Sequence, residues 1–227
     1  HELKSHQPYF EIMWRMNPDA TRILMENLWG GHILDWALLD YNRHANTWIR
    51  SEPKWDHVYD DKTKVPFPAN GGHLSFSGVV PPLLQAGIRL YVMARNEKAL
   101  TWARRLIYRW QEARHPETKL CGGQISYRER DRAQEALGHV HPNINEAKIV
   151  GSYHQTGRYH ILPLVQMQAA DFLIREGGKA AELGKELINR ASGDLIAYSD
   201  HCYDQKTNKF VARLIDGTLL KWEDTKV

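Results

Sequence analysis

Two cysteines in 227 residues are too few for a disulfide framework. Neither Cys121 nor Cys202 stands in a Cys-x-x-Cys or beside a histidine at ligand spacing. A bridge between them is open in principle, but both read as ordinary thiols. No apolar run approaches the roughly 18 residues that span a bilayer, which excludes a transmembrane helix. Glycine-rich phosphate loops, nucleophile elbows and Cys/His zinc patterns are also missing. A dominant charge is lacking too, since 30 basic against 27 acidic residues give +3. The densest basic stretch, Arg104, Arg105 and Arg109, then Arg128, Arg130 and Arg132, is interleaved with Glu112, Glu117, Glu129, Asp131 and Glu135. A nucleic-acid stripe should be less diluted, so nucleic acid is not expected as a partner. These arginines read as solvated helix faces. The modest positive potential would still suit a small anionic ligand or a polyanionic sugar.

What remains is an ordinary globular composition, 42% hydrophobic and 25% charged, in a chain long enough to bury a core. At about 150 residues per domain the length suggests roughly one and a half, and no internal boundary stands out, so residues 1–227 are treated as one unit. The first residues lack the basic-then-apolar pattern of a signal peptide and the chain opens on His1. The expectation is a removed leader or a piece of something longer. The notable surplus is twelve histidines and eight tryptophans.

The periodic signal is helical. Asn17-Pro18-Asp19 combines a capping side chain, a first-turn proline and an acid at the positive helix end. Apolar residues then recur at Ile23, Leu24, Leu28, Trp29, Ile33, Trp36 and Leu39, predicting a long helix. Gly30-Gly31 either weakens it or marks a close contact. Further helices are predicted over 82–93, over 96–114 from an Asn96 cap, and as a pair over 161–174 and 179–198. The break at 175–178 makes that pair antiparallel. A weak echo joins three turns, Asp61 to Val65, Pro116 to Leu120 and Gln205 to Phe210, each with a threonine and then an apolar residue. Repeated helix pairs suggest an α/α array or toroid. Phe210 to Leu220 alternates around Asp216-Gly217 and reads as a β-hairpin.

Several groupings could carry chemistry. His1, Glu2 and His6, with Arg43 and His44 at the expected helix end, make a plausible divalent-metal set with an arginine beside it for a carboxylate. Asp40 would share a helical face with His44 as an orienting partner, if the helix ran that far. The alternative is a plain helix-end histidine and a surface cation. Residues 151–160, with Tyr153, Arg158 and Tyr159, form a polar aromatic loop before a helix and could hold an anionic group. The alternative is a loop whose rings cap the core. His139-Val140-His141 and Gly71-Gly72-His73 read as surface loops. Trp29, Trp36, Trp102 and Trp110 are expected in the core. Trp14, Trp48 and Trp55 could form a sugar-stacking wall, with core packing the preferred reading.

The segments "HELKSHQPYFEIMWRMNPDATR" and "LDYNRHA", with "RHPETKLCGGQIS", resemble the α/α-toroid pectate lyases, particularly polysaccharide lyase family 2. The resemblance implies a mainly α fold, an (α/α) helix-hairpin toroid with short β-hairpins between helices. It implies that Glu2 and His44 bind a divalent transition metal, manganese, cobalt or nickel rather than calcium. It casts Arg43 as the catalytic base in β-elimination on a galacturonan. Arg158, Tyr159 and Tyr153 are the candidates for binding an anionic polysaccharide or oligogalacturonide. A periplasmic or secreted location is favoured. The family has a further histidine ligand upstream of the glutamate and about seven helix hairpins, against about three expected here. An incomplete toroid is therefore expected.

Arginine normally stays protonated, so Arg43 could instead stabilise the enolate while Tyr41, Tyr153, Lys4 or a histidine moves the proton. Two other readings stand beside the lyase. One is a non-catalytic uronate-binding relative. The other is an α/α-toroid glycoside hydrolase using two acids, with Asp35 and Asp40 as candidates.

Overall fold

The computed structural model describes residues 3, 9–46, 48–69, 74–127, 147–150 and 161–221. These form α1 (Phe10–Met16), α2 (Pro18–His32), α3 (Pro81–Ala94), α4 (Glu97–Glu112), α5 (Ile161–Glu176) and α6 (Gly178–Cys202). Eight short strands join them: β1 (Ile33–Asp35), β2 (Asp40–Tyr41), β3 (Phe67–Pro68), β4 (Ser126–Tyr127), β5 (Ile149–Val150), β6 (Tyr203–Asp204), β7 (Lys209–Phe210) and β8 (Arg213–Leu214). They make four two-stranded ladders, β1–β2, β5–β8 and β6–β7 antiparallel and β3–β4 parallel. The described fold is mainly α, as the periodicity predicts, and none of its helices is long and apolar enough to cross a membrane.

The caps act where the sequence puts them. Asn17 Oδ1 accepts the Ala20 N–H at 3.0 Å with Pro18 in the first turn, and Asn96 Oδ1 accepts the Ala99 N–H at 3.0 Å. Between α3 and α4 the chain reverses through Arg95 in the left-handed region, the Arg95 and Asn96 N–H groups bonding back to Tyr91 and Leu90. Between α5 and α6, Gly177 and Gly178 take φ of 79° and 53°, a turn that a side chain would strain.

Helix α3 is the centre of the described core. Every residue from Pro81 to Leu90 is buried, as expected of a helix covered on all sides, and α2, α4 and α5 pack on it. Beside it, Trp36 meets Trp55 and Trp102 edge-on at centroid distances of 5.4 and 4.9 Å. Trp29 Nε1 donates to the Leu83 carbonyl at 3.0 Å, and Trp102 Nε1 to that of Trp55 at 2.8 Å. The four tryptophans expected in the core are all buried, and Trp55 packs against them partly buried.

Three expectations are corrected. Helix α2 stops at His32 rather than running toward Leu39. The Asp35 carboxylate accepts the N–H groups of Ala37 and Leu38 at 2.9 and 3.2 Å, offering the backbone a turn in place of the helical bond. Leu39 then takes φ of 57°, and the chain doubles back as the β1–β2 hairpin. Trp36 and Leu39 are buried from that turn, not from a helix. Second, Arg109 is not on a solvated face: its side chain is fully buried and donates to the carbonyls of Thr63, at 2.8 Å, and Asp60. Third, residues 203–220 form two hairpins. Phe210 pairs back with Tyr203, and only the second turns at Asp216-Gly217, where Leu214 N–H meets Thr218 O at 2.8 Å.

The three-turn echo has a partial physical basis. Thr63 Oγ1 donates to Asp60 Oδ2 at 2.5 Å and Thr207 Oγ1 to Asp204 Oδ2 at 2.7 Å, each from three residues on. At Thr118 the residue three before is His115, so the middle turn lacks the carboxylate.

The Gly30-Gly31 pair marks a close contact. A Cβ on Gly30 would overlap the backbone carbonyl of Ser51, which has no rotamer by which to yield. Gly30→Ala is therefore expected to destabilise by about 1–3 kcal/mol, although glycine to alanine in an open helix would gain about 1. Urea unfolding reads the sign directly. A raised midpoint would show that the 51–52 segment can move aside.

Candidate functional site

The residues quoted in "LDYNRHA" stand at the end of β2. Asp40 and Tyr41 are fully buried, locked into a polar layer beneath the surface. Ser75 Oγ donates to Asp40 Oδ1 at 2.6 Å, and the Tyr41 N–H donates to Ser75 Oγ at 2.9 Å. The Ser75 N–H donates to Ser126 Oγ at 2.9 Å. Tyr41 Oη donates to the Phe76 carbonyl at 2.7 Å, and burial raises its pKa well above the usual value. That removes Tyr41 as a proton carrier, because its proton is committed and its anion would be desolvated. Asp40 does not share a helical face with His44, since no helix runs between them. Its burial and hydrogen bonding also remove it from the hydrolase pair, while Asp35 is engaged in the 36–39 turn.

Asn42 sets the next step. Its N–H donates to the His32 carbonyl at 2.8 Å and its own carbonyl meets His32 Nδ1 at 2.7 Å. Its side-chain Oδ1 accepts the His44 N–H at 2.9 Å. One asparagine thus ties the last residue of α2 to the Arg43-His44 step. His32 is fully buried. Burial foremost pushes its pKa down to about 4, the Asn42 hydrogen bond opposing and the nearby His44 charge adding to the fall. Its ring is therefore neutral at ordinary pH, with the hydrogen bond to a backbone carbonyl fixing Nδ1 as the protonated nitrogen.

After this buried layer the chain emerges. Arg43 is half-buried and His44 exposed. The Arg43 carbonyl accepts the N–H of Leu3, a buried residue and the covalent neighbour of Glu2, at 2.5 Å. Arg43 and His44 both have interaction partners.

Not every candidate is brought into view. Glu2, His1, His6 and Lys4 lie outside the described residues, as do Tyr153, Arg158, Tyr159, His139, His141 and residues 71–73. Among the described residues no group of three or more His, Cys, Asp or Glu converges as a metal site. The sugar-stacking wall does not assemble as one face. Trp55 packs in the tryptophan cluster, Trp14 rests partly buried on the core, and Trp48 stands out in solvent. Both cysteines are free and buried, their thiols pushed up by desolvation, Cys202 to about 11, which leaves them unreactive. Sequence reasoning overlooked His32 and Asn42. The available signal was the Asx-type Asn42 two residues before His44.

Comparisons with known proteins bear on the family. The family profile described as periplasmic pectate lyase matches residues 1–226. A pectate disaccharide-lyase of Dickeya dadantii (strain 3937) is 33% identical over 133 residues, 56% of this chain and 24% of that protein. The match thus spans about a quarter of the relative's length. On the match across 1–226, the chain belongs to the periplasmic pectate lyase family.

Proposed function

We propose that this chain carries a pectate lyase site of the polysaccharide lyase family 2 kind, cleaving polygalacturonate by metal-assisted β-elimination. In this reading α3–α4 and α5–α6 are two helix hairpins of one α/α toroid. The observation that supports it best is the Arg43-His44 step. It is the accessible end of a strand whose preceding residues are buried and fully tied. Such an arrangement presents two cationic or ligating side chains on a rigid base.

The donor chemistry fits a divalent transition metal. His44 offers an exposed imidazole, His32 keeps a second, neutral ring within electrostatic range, and the N–H of Leu3, the residue after Glu2, is held by the Arg43 carbonyl. An imidazole donor favours cobalt or nickel over calcium, and a carboxylate beside it also suits manganese. When bound, the metal would neutralise the uronate carboxylate and so ease loss of the proton on the adjacent carbon. His44 and Glu2 would hold it, and Arg43 would face the reacting carbon. Either Arg43 takes the proton itself or, staying charged, it stabilises the enolate while another group takes the proton. The electron pair of the broken C–H bond forms the new double bond as the adjacent C–O bond breaks, and the glycosidic oxygen keeps that bond's pair and takes a proton from the protonated base or from water. Tyr153, Arg158 and Tyr159 would contact the anionic chain.

His44→Ala is expected to lose both metal and the absorbance of the unsaturated product. Full metal stoichiometry in that variant would overturn the ligand assignment. Arg43→Lys separates the two roles of Arg43, and measurable elimination is the expected result because a cation suffices for stabilisation. Complete loss with metal and substrate still bound would make Arg43 the base. A chain that binds oligogalacturonate but neither metal nor turnover would be a uronate-binding relative.

A further inference from the structure

Trp48 differs from the other described tryptophans. Trp29, Trp36, Trp102 and Trp110 are buried and Trp14 and Trp55 rest on the core, whereas Trp48 is 95% exposed. An indole so placed leaves unburied a side chain that normally covers about 150–250 Å². Yet the backbone near it is anchored on both sides. Before it, the His44 N–H is held by Asn42 Oδ1, and the Trp48 N–H itself donates to Asn46 Oδ1 at 3.2 Å. After it, the Ser51 N–H donates to Asn27 Oδ1 on α2 at 2.9 Å, and the Ser51 carbonyl sits where only a glycine at position 30 leaves room. Helix α2 thus carries an otherwise unfavourable glycine that seats the segment bearing an exposed indole.

Basic residues flank Trp48 in sequence. Arg43 and His44 precede Trp48, and Arg50, 57% exposed, follows it, paired with Glu52 at 2.8 Å. Four residues from His44 to Trp48 span at most about 14 Å, the reach of a short oligosaccharide. Ile49, 64% exposed, is the immediate apolar neighbour, and charges bound the patch. That is small for a protein interface, which needs about 800 Å² from each partner.

We propose that Trp48 is a sugar-ring platform for the acidic polysaccharide, its indole face stacking on the C–H face of a pyranose one or more rings away from the ring at Arg43-His44. The inference rests on the reading of an acidic-saccharide site given above. A pyranose is apolar on its C–H faces and polar around its rim, which suits a flat ring with one N–H donor. The anchored backbone lowers the ordering cost of binding, and the Arg43 guanidinium attracts the uronate carboxylates.

Oligogalacturonate binding to the full chain tests this, by calorimetry and tryptophan fluorescence, with and without added manganese. Trp48→Ala is expected to weaken binding about tenfold with an unchanged urea midpoint. Trp48→Phe, which keeps a stacking face, should restore most of the affinity. Unchanged affinity in Trp48→Ala would overturn the platform, as would a wild-type chain that binds no oligogalacturonate. A lowered urea midpoint would also overturn it, because the indole would then be packed on protein. A chain that yields no unsaturated product but still loses affinity in Trp48→Ala would sink the lyase reading and leave the platform standing.

Discussion

Arg109→Leu is expected to lower the unfolding free energy by about 3–5 kcal/mol. The guanidinium is fully buried, donates to the carbonyls of Thr63 and Asp60, and lies 4.7 Å from the centroid of the Tyr59 ring. Leucine fills similar space but leaves two carbonyls without donors, each costing about 1–3 kcal/mol when desolvated. Glu112, 42% exposed, can rehydrate and adds little. The consequence reaches the site, because the Asp60 N–H donates to the Ala37 carbonyl at 3.0 Å and so ties the 60–63 turn to the turn before β2. Lysine at 109 would satisfy one carbonyl at best and should fall between. Urea unfolding of the three proteins reads this, and a loss under about 1 kcal/mol for leucine would mean water replaces the guanidinium.

Acidification should cost nearly as much, through His32. Its pKa is 6.5 when unfolded and about 4 when folded. Above pH 6.5 the ring is neutral in both states, and below about 4 it is charged in both. Between these limits the unfolded chain takes the proton and the folded one does not, so stability falls as the pH falls across that window. At about 1.36 kcal/mol per pH unit the full loss is about 3 kcal/mol. The contribution is present above pH 6.5 and gone near pH 4. His32→Asn has no such proton to take, so the difference in unfolding free energy between wild type and variant should vary by that amount between pH 7 and 4. Parallel pH curves would show that His32 is not held neutral by burial.

These two residues mark where sequence reading stopped. The caps at Asn17 and Asn96 and the α5–α6 break were legible because each acts on its own first turn or loop. The family resemblance, carried in part by the adjacent Arg43-His44 pair, was legible, and the match across 1–226 bears out the family. The helix through Leu39 was misread because Ile33, Trp36 and Leu39 do keep a helical period, while Asp35 holds the competing turn. Arg109 looked like its neighbours Arg104 and Arg105, and its acceptors lie more than forty residues earlier. His32 and Asn42 carried no ligand-like spacing, and their role appears only when β2 returns beside the end of α2.

The sequence by itself determined the mainly α fold, its principal helices and their caps, the buried tryptophans and the family to which the chain belongs. These follow from periodicity and from contacts three or four residues apart, which are written in order along the chain. The tertiary structure decided where α2 ends, which arginine is buried, that Asp40 is buried against Ser75 and that Trp48 faces solvent. Each of those depends on a partner, or the lack of a covering element, far away in sequence. Desolvation is set by the whole packed surround, and no local pattern records it.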